Sequence, residues 1–570
     1  MTKRQLVVIL QPLLGVASLC YGQQAKLSRD LQGRDPEALV NVIVQYKNTP
    51  QTLEADPVVR RGGRQLRTLH VVNGAVYSVA AKTLADLAND PDVKYVSPDR
   101  AVNASSSELS ASQLSPDYKL QAIGADVAQQ NGYNGSGVGV AIIDSGISNR
   151  LDLHTSYNGG YSSMTTSSFG GGSGFRVVHA ENIINGGSTD DEYGHGTHVA
   201  GLVGGNGSQS WGVYAGVAPA VNLINLVVLN GAGASTDSIV IAGIERAIQL
   251  SSQYNIQVIN LSLGRPIFES YTVDPLCQAV EAAWRAGIAV VVAAGNDGRD
   301  NSFGTDGYAT ITAPGNDPYV ITVGAMKTEN TLTTSDDRIA SYSSKGPSLL
   351  DQVVKPDLVA PGNLVVSVLG DGTLPQLYPR NITDTNYFIL SGTSMATGVV
   401  SGAAALLMQQ NPNLTPDQLK ALLMQTSTKN FPVSSTATDP VTGIQYTDYY
   451  DIFTVGAGYI NVWDALNSSA ALASGSAASP IASYNSVNGT VTIHNISGAN
   501  VIWGTNVIWG TNVIWGTSVI SGSNVIWGTN VIWGTSAPSS LNVIWGTNVI
   551  WGTSGLADLA GGTIGIYGEQ

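Results

Sequence analysis

Between residues 138 and 294, short apolar runs alternate with amphipathic segments. The runs 138–143, 221–228, 258–263 and 289–294 are almost uninterrupted stretches of Val, Ile, Leu and Ala. Segments 238–250 and 275–286 between them carry apolar residues at helical spacing. Strands that are apolar on both faces need cover on both faces, so this alternation predicts a doubly wound, mostly parallel α/β sheet. In such sheets ligands bind beyond the carboxyl ends of the strands. Asp144, Ser262 and Asn296 all fall at those ends, which predicts a single cleft.

Three motifs supply chemistry for that cleft. The strand at 138–143 runs into Asp144-Ser145-Gly146. Gly194-His195-Gly196-Thr197-His198-Val199-Ala200-Gly201 sets an imidazole at a glycine-flanked turn before a small-residue helix. Ser391-Gly392-Thr393-Ser394-Met395-Ala396 sets a hydroxyl at the head of the apolar run 399–408. Alone, Thr393 or Ser394 reads as a helix cap. A serine nucleophile, however, needs a base within hydrogen-bond reach and a partner that fixes the base's tautomer, and Asp144 and His195 are the residue types for both. The helix N-terminus also favours a developing oxyanion.

Taken together, the motifs and their order Asp, His, Ser resemble the subtilisin-like serine peptidases (subtilases), and the likeness runs through most of residues 117–466. It implies an endopeptidase acting through an acyl-enzyme, with Asp144, His195 and Ser394 as catalytic triad and Asn296 of Ala293-Ala294-Gly295-Asn296 as oxyanion-hole donor. It also implies that Ser262-Leu263-Gly264 on one side and Gly233 on the other pair with an extended polypeptide substrate. Thr312 would then leave a medium-sized, uncharged primary pocket. His198 would pack behind the base. A metal pair at His195 and His198 is disfavoured because no third ligand stands in a matching motif. Asp191 and Glu192 read as a solvated acidic loop. No cofactor is required for the chemistry. The family commonly carries structural calcium, and Asp152 stands where one ligand would lie, although the loop 206–210 departs from the family pattern. The family's Pro-His after Gly-Thr-Ser-Met-Ala-x is replaced here by Gly398-Val399.

The rest of the chain is read around this domain. Residues 1–22 form an export signal, with Lys3 and Arg4 before the apolar run 6–20, and predict a secreted protein. Residues 23–115 hold strand-like runs at 38–46, 71–80 and 93–96 and a helix start at 82–87. By the resemblance this is an α+β propeptide, the chain's own intramolecular inhibitor, with 101–115 as an aperiodic cleavage linker. The peptidase domain spans 116–467, and 468–500 is a linker rich in Ala and Ser. In 501–570 the unit Val-Ile-Trp-Gly-Thr occurs seven times, mostly at a six-residue period. This β-prone hexapeptide-repeat tail predicts stacked short strands or self-association, and the equal rival reading is a low-complexity, aggregation-prone tail with no fixed fold.

Composition removes other classes. The first 115 residues hold 13 Lys+Arg against 10 Asp+Glu, and the remainder 14 against 31, which argues against a nucleic-acid partner. Cys20 lies in the export signal, so Cys277 is left as a lone buried small residue on the 276–284 helix. Two rival functions remain: a catalytically silent adhesion protein presenting the tail, and an esterase with a Gly-x-Ser-x-Gly elbow. The intact triad counts against the first, and Gly392-Thr393-Ser394-Met395-Ala396 against the second.

Overall fold

The computed structural model describes residues 26–104, 117–155, 174–302, 304–428, 432, 434–439, 442–469, 475–485, 490–494, 508–509 and 513–514. The expected export signal and nearly all of the repeat tail lie outside the described residues.

The predicted apolar runs become the centre of an eight-stranded sheet. Its order is Arg338–Ile339, Ile321–Lys327, Ala289–Ala293, Ile256–Leu261, Gly139–Asp144, Asn222–Val227, Val177–Asn182, with Leu358–Pro361 pairing to Ile321–Lys327 off this path. All pairings are parallel except that of the edge strand Arg338–Ile339. Helices Asp237–Tyr254 and Pro275–Arg285 pack together on one face, and His195–Gly204 and Thr393–Gln410 pack together on the other. Thr393–Gln410 is buried from Thr393 through Met408. Small and apolar residues all round suit a helix with no solvent face. At Gly398, where the family has proline, a Cβ would lie 3.2 Å from Leu202 Cβ, so glycine lets the two helices on this face approach closely.

Residues 39–98 form a separate antiparallel sheet in the order Arg64–Leu69, Gly74–Ala80, Leu39–Tyr46, Val93–Pro98. Helix Leu84–Ala88 packs beside it, over a core that includes Val42, Val44, Tyr77 and Leu87. This module docks onto the main domain through buried polar contacts. Gln45 Nε2 donates to Val273 O at 2.8 Å. The Asp99 carboxylate accepts from Ser238 N (2.8 Å) and Ser238 Oγ (2.7 Å), satisfying donors at the start of helix Asp237–Tyr254. Arg100 meets Glu269 with Nη1–Oε1 at 2.7 Å and Nη2–Oε2 at 2.8 Å, and Glu269 Oε2 also accepts from Ser28 Oγ and Tyr95 OH.

Two expectations are corrected. The linker reading fails for residues 101–104, which form a strand, Ala101–Ala104. It also fails for 475–485. Ser479 and Ala482 are buried, Val354 N donates to Pro480 O, and Ala482 N donates to Gln352 O. Ser479 Oγ joins a buried ionic cluster in which Asp357 takes Lys355 at 2.7 Å and Lys420 at 3.0 Å. Small Ala and Ser side chains here allow the backbone to come close to the domain, although their composition resembles that of a spacer.

Candidate active site

Asp144 ends the strand Gly139–Asp144, and His195 begins the helix His195–Gly204. Both are fully buried. His195 Nδ1 and Asp144 Oδ1 are 2.7 Å apart. Asp144 Oδ1 also accepts from Ser145 N at 2.8 Å, which orients the carboxylate. This pairing leaves Nε2 of His195 as the ring's available nitrogen, and it makes no hydrogen bond within the described residues. A carboxylate on Nδ1 selects the tautomer whose Nε2 accepts a proton.

Ser394 is the second residue of helix Thr393–Gln410, entered through Gly392 at φ 148°, a backbone angle suited to glycine. Its Oγ donates to Ser262 O at 3.0 Å. The hydroxyl is therefore parked on the neighbouring strand end, and rotation about Cα–Cβ redirects it. A buried chain braces this point. Ser401 Oγ donates to Asn260 Oδ1, Asn260 Nδ2 to Ser262 Oγ, and Ser262 Oγ to Ser394 O, each at 2.9 Å.

Asn296 follows the strand Ala289–Ala293 and is half-buried. Its Oδ1 accepts from Thr393 N (2.9 Å) and Thr393 Oγ1 (3.1 Å). With the oxygen so occupied, the amide's N–H groups remain for the cleft beside Ser394.

The strand Ala101–Ala104 runs through that cleft. It pairs antiparallel with Leu263–Gly264 (Leu263 with Ala104, Gly264 with Asn103) and with Ala234–Thr236 on its other edge. Ala104 N donates to Gly233 O at 2.9 Å. Val102 is fully buried while Ala101 and Asn103 face out, as the two-residue period of a strand requires. Gly233 has φ 70°, and a Cβ on it would lie 2.5 Å from Tyr193 Cε1, so no larger residue fits beside the strand. Thr312 Oγ1 would lie 2.6 Å from a Cβ on Gly264, which places Thr312 against this end of the groove.

The solvated reading of Asp191 is corrected. Its side chain is buried and unpaired with any cation within the described residues, yet it accepts five hydrogen bonds. Oδ1 takes Ser145 Oγ (2.8 Å), Tyr193 N (3.1 Å) and Gly194 N (2.7 Å), and Oδ2 takes Thr197 N (2.8 Å) and Thr197 Oγ1 (2.7 Å). Ser145 Oγ also accepts from Gly196 N at 2.9 Å. Asp191 thus ties the segment carrying Asp144 to the turn carrying His195. Burial pushes its carboxyl above the usual range against the pull of these donors. Glu192 is exposed, as expected of it.

His198 is fully buried and its Nε2 lies 3.0 Å from Phe388 O and 3.2 Å from Val365 O. Burial first, then the neighbouring His195, lowers its pKa to about 3, so it stays neutral, packed behind His195. Cys277 is a free, buried thiol whose pKa burial raises.

A family model, Peptidase_S8 (Subtilase family), matches residues 135–443. The chain belongs to the subtilase family. This family comprises subtilisin-like serine peptidases. The subtilase is 39% identical over 296 residues to serine protease AprX of Bacillus subtilis (strain 168), a match covering 51% of this chain and 61% of that protein. It is 34% identical over 391 residues to subtilisin E of the same organism, covering 68% and 84%. The crystal structure of fervidolysin from Fervidobacterium pennivorans, described as a keratinolytic enzyme related to subtilisin, shares the fold with a TM-score of 0.55 at 20% identity, covering 78% of this chain and 62% of that one.

Asn260, Ser401 and Ser145 are not read from the sequence as positioning residues, and Asp191 is read there as part of a solvated loop. Asn260 carried a usable signal, since an amide inside an apolar, doubly covered strand must find partners.

Proposed function

We propose that this subtilase is a secreted serine endopeptidase that cuts polypeptides through an acyl-enzyme and matures by removing its own N-terminal module. In this reading Ser394 Oγ attacks the scissile carbonyl and His195 Nε2 takes its proton. Asp144 holds the imidazole and stabilises the imidazolium. Asn296 and the Ser394 backbone N–H donate to the tetrahedral oxyanion, and loss of one such donor costs on the order of 3 kcal/mol of transition-state stabilisation. His195 then returns the proton to the leaving amine, and water releases the acyl group by the same steps.

The reading rests above all on the strand Ala101–Ala104 lying between Gly233 and Leu263–Gly264. A substrate would bind the same way, as an added strand whose alternate side chains enter pockets. Residues 26–104 would then be the inhibitory propeptide. Its cut bond lies beyond Ala104, because residues 101–104 already fill the acyl side of the groove. The test is N-terminal sequencing and casein digestion by the wild-type chain, beside a Ser394→Ala variant. Processing and digestion by the wild type alone support the reading. An unprocessed, inert and folded wild type would overturn it.

A further inference from the structure

The family implies a structural calcium at Asp152, and this chain's residues do not fit one. Calcium needs six to eight oxygens free to turn towards it. Here they are already engaged. Asp152 Oδ1 accepts from Ser208 Oγ (2.9 Å) and Gln209 N (2.8 Å), and Oδ2 from Tyr387 OH (2.5 Å). In the loop, Asn206 Oδ1 accepts from Ser208 N at 2.9 Å and Gly207 O from Ser210 N at 2.9 Å.

The backbone carbonyls around Asp152 converge on a different cation. Arg176 is buried, and its guanidinium donates to four of them. Nη2 reaches Asp152 O (3.0 Å) and Gly204 O, Nη1 reaches Val221 O (3.1 Å), and Nε reaches His154 O (3.4 Å). Four carbonyls from three separate segments therefore point at one positive group. The Arg176 backbone is anchored too, with its N donating to Leu153 O at 2.9 Å and its O accepting from Leu223 N at 2.7 Å. No carboxylate touches the guanidinium within the described residues. Carbonyl dipoles and the nearby Asp152 charge hold it, while burial draws its pKa down to about 10. A planar, permanently charged fork with five donors suits this task.

We propose that Arg176 is the resident cation of this site, a covalent replacement for structural calcium that joins the segments of Asp152, Gly204 and Val221 without any metal. The inference concerns stability and stands whether or not the peptidase reading does. Ser394→Ala chains carrying no further change, Arg176→Met or Asp152→Asn would be melted with calcium chloride and with EDTA. Arg176→Met keeps the stem and orphans the carbonyls, each a costly loss, so its Tm should fall by about 5 °C or more in either solution. The calcium-minus-EDTA difference should be the same in the parent and in Asp152→Asn, whether that difference is zero or reflects metal bound elsewhere. The proposal is overturned if Arg176→Met melts like its parent, or if a calcium effect in the parent disappears in Asp152→Asn.

Discussion

If the N-terminal module is cut from the chain as proposed, the contact between Arg100 and Glu269 should set how long it stays bound afterwards. Both side chains are almost wholly shielded, at 5% and 4% exposure, and they meet through two parallel N–H···O bonds of 2.7 and 2.8 Å. Arg100→Met keeps the bulk but leaves the Glu269 carboxylate buried with only Ser28 and Tyr95 as donors. Breaking one side of a buried ion pair costs about 3–5 kcal/mol. At about 1.4 kcal/mol per factor of ten, that is roughly a 140- to 4,000-fold weaker complex. The assay follows the interval between cleavage, seen by mass, and the onset of casein digestion. Arg100→Met should shorten it sharply, and adding Glu269→Gln should restore part of it by removing the orphaned charge. If Arg100→Met changes the module's dissociation by less than about fivefold, the pair behaves as a solvent-screened surface contact and the reasoning is refuted.

Asp191→Asn keeps the size of the side chain but weakens acceptors for five donors that position the His195 turn. Misplacing a base by about 1 Å costs on the order of a hundredfold, so kcat should fall about that much while KM on a peptide ester stays near its wild-type value. An unchanged kcat would remove Asp191 from this role. His198 predicts a pH effect on stability: its folded pKa of about 3 lies below its ordinary 6.5, so between these values the unfolded chain binds the extra proton. Stability should therefore rise with pH across that window, by up to about 1.4 kcal/mol per unit, and this residue adds no slope above it. Urea unfolding of the Ser394→Ala chain and of its His198→Gln derivative should show the slope in the first and a smaller one in the second; equal slopes would contradict the assignment.

Four central strands of the sheet were legible before any coordinates, whereas Ile321–Lys327 and Leu358–Pro361, just as fully buried, were not read as strands. The strands at Gly139–Asp144, Asn222–Val227, Ile256–Leu261 and Ala289–Ala293 match their apolar runs within two residues, because strands covered on both faces must be apolar throughout. Val177–Asn182 escaped notice because only Val177 in it is buried. Arg64–Leu69 escaped because, at the sheet edge, its residues are largely exposed and Arg and Gln fill it. At the site, the residues proposed to carry the chemistry stood out by type and company, and the residues that position them did not. Asp191 looked like any acid beside a glutamate, since its burial depends on five donors brought in by folding. Arg176 gave no local sign, because the carbonyls it gathers come from segments up to 45 residues away.

The central claim is that Ser394, in the company of His195 and Asp144, is a nucleophile rather than a helix cap. Its most direct measurement compares purified wild-type and Ser394→Ala chains by intact mass and casein digestion. The wild type should shed residues up to a bond beyond Ala104 and digest casein, while Ser394→Ala should remain full length, folded and inert. A Ser394→Ala chain that still processes itself and digests casein, in a preparation free of other peptidases, would contradict it.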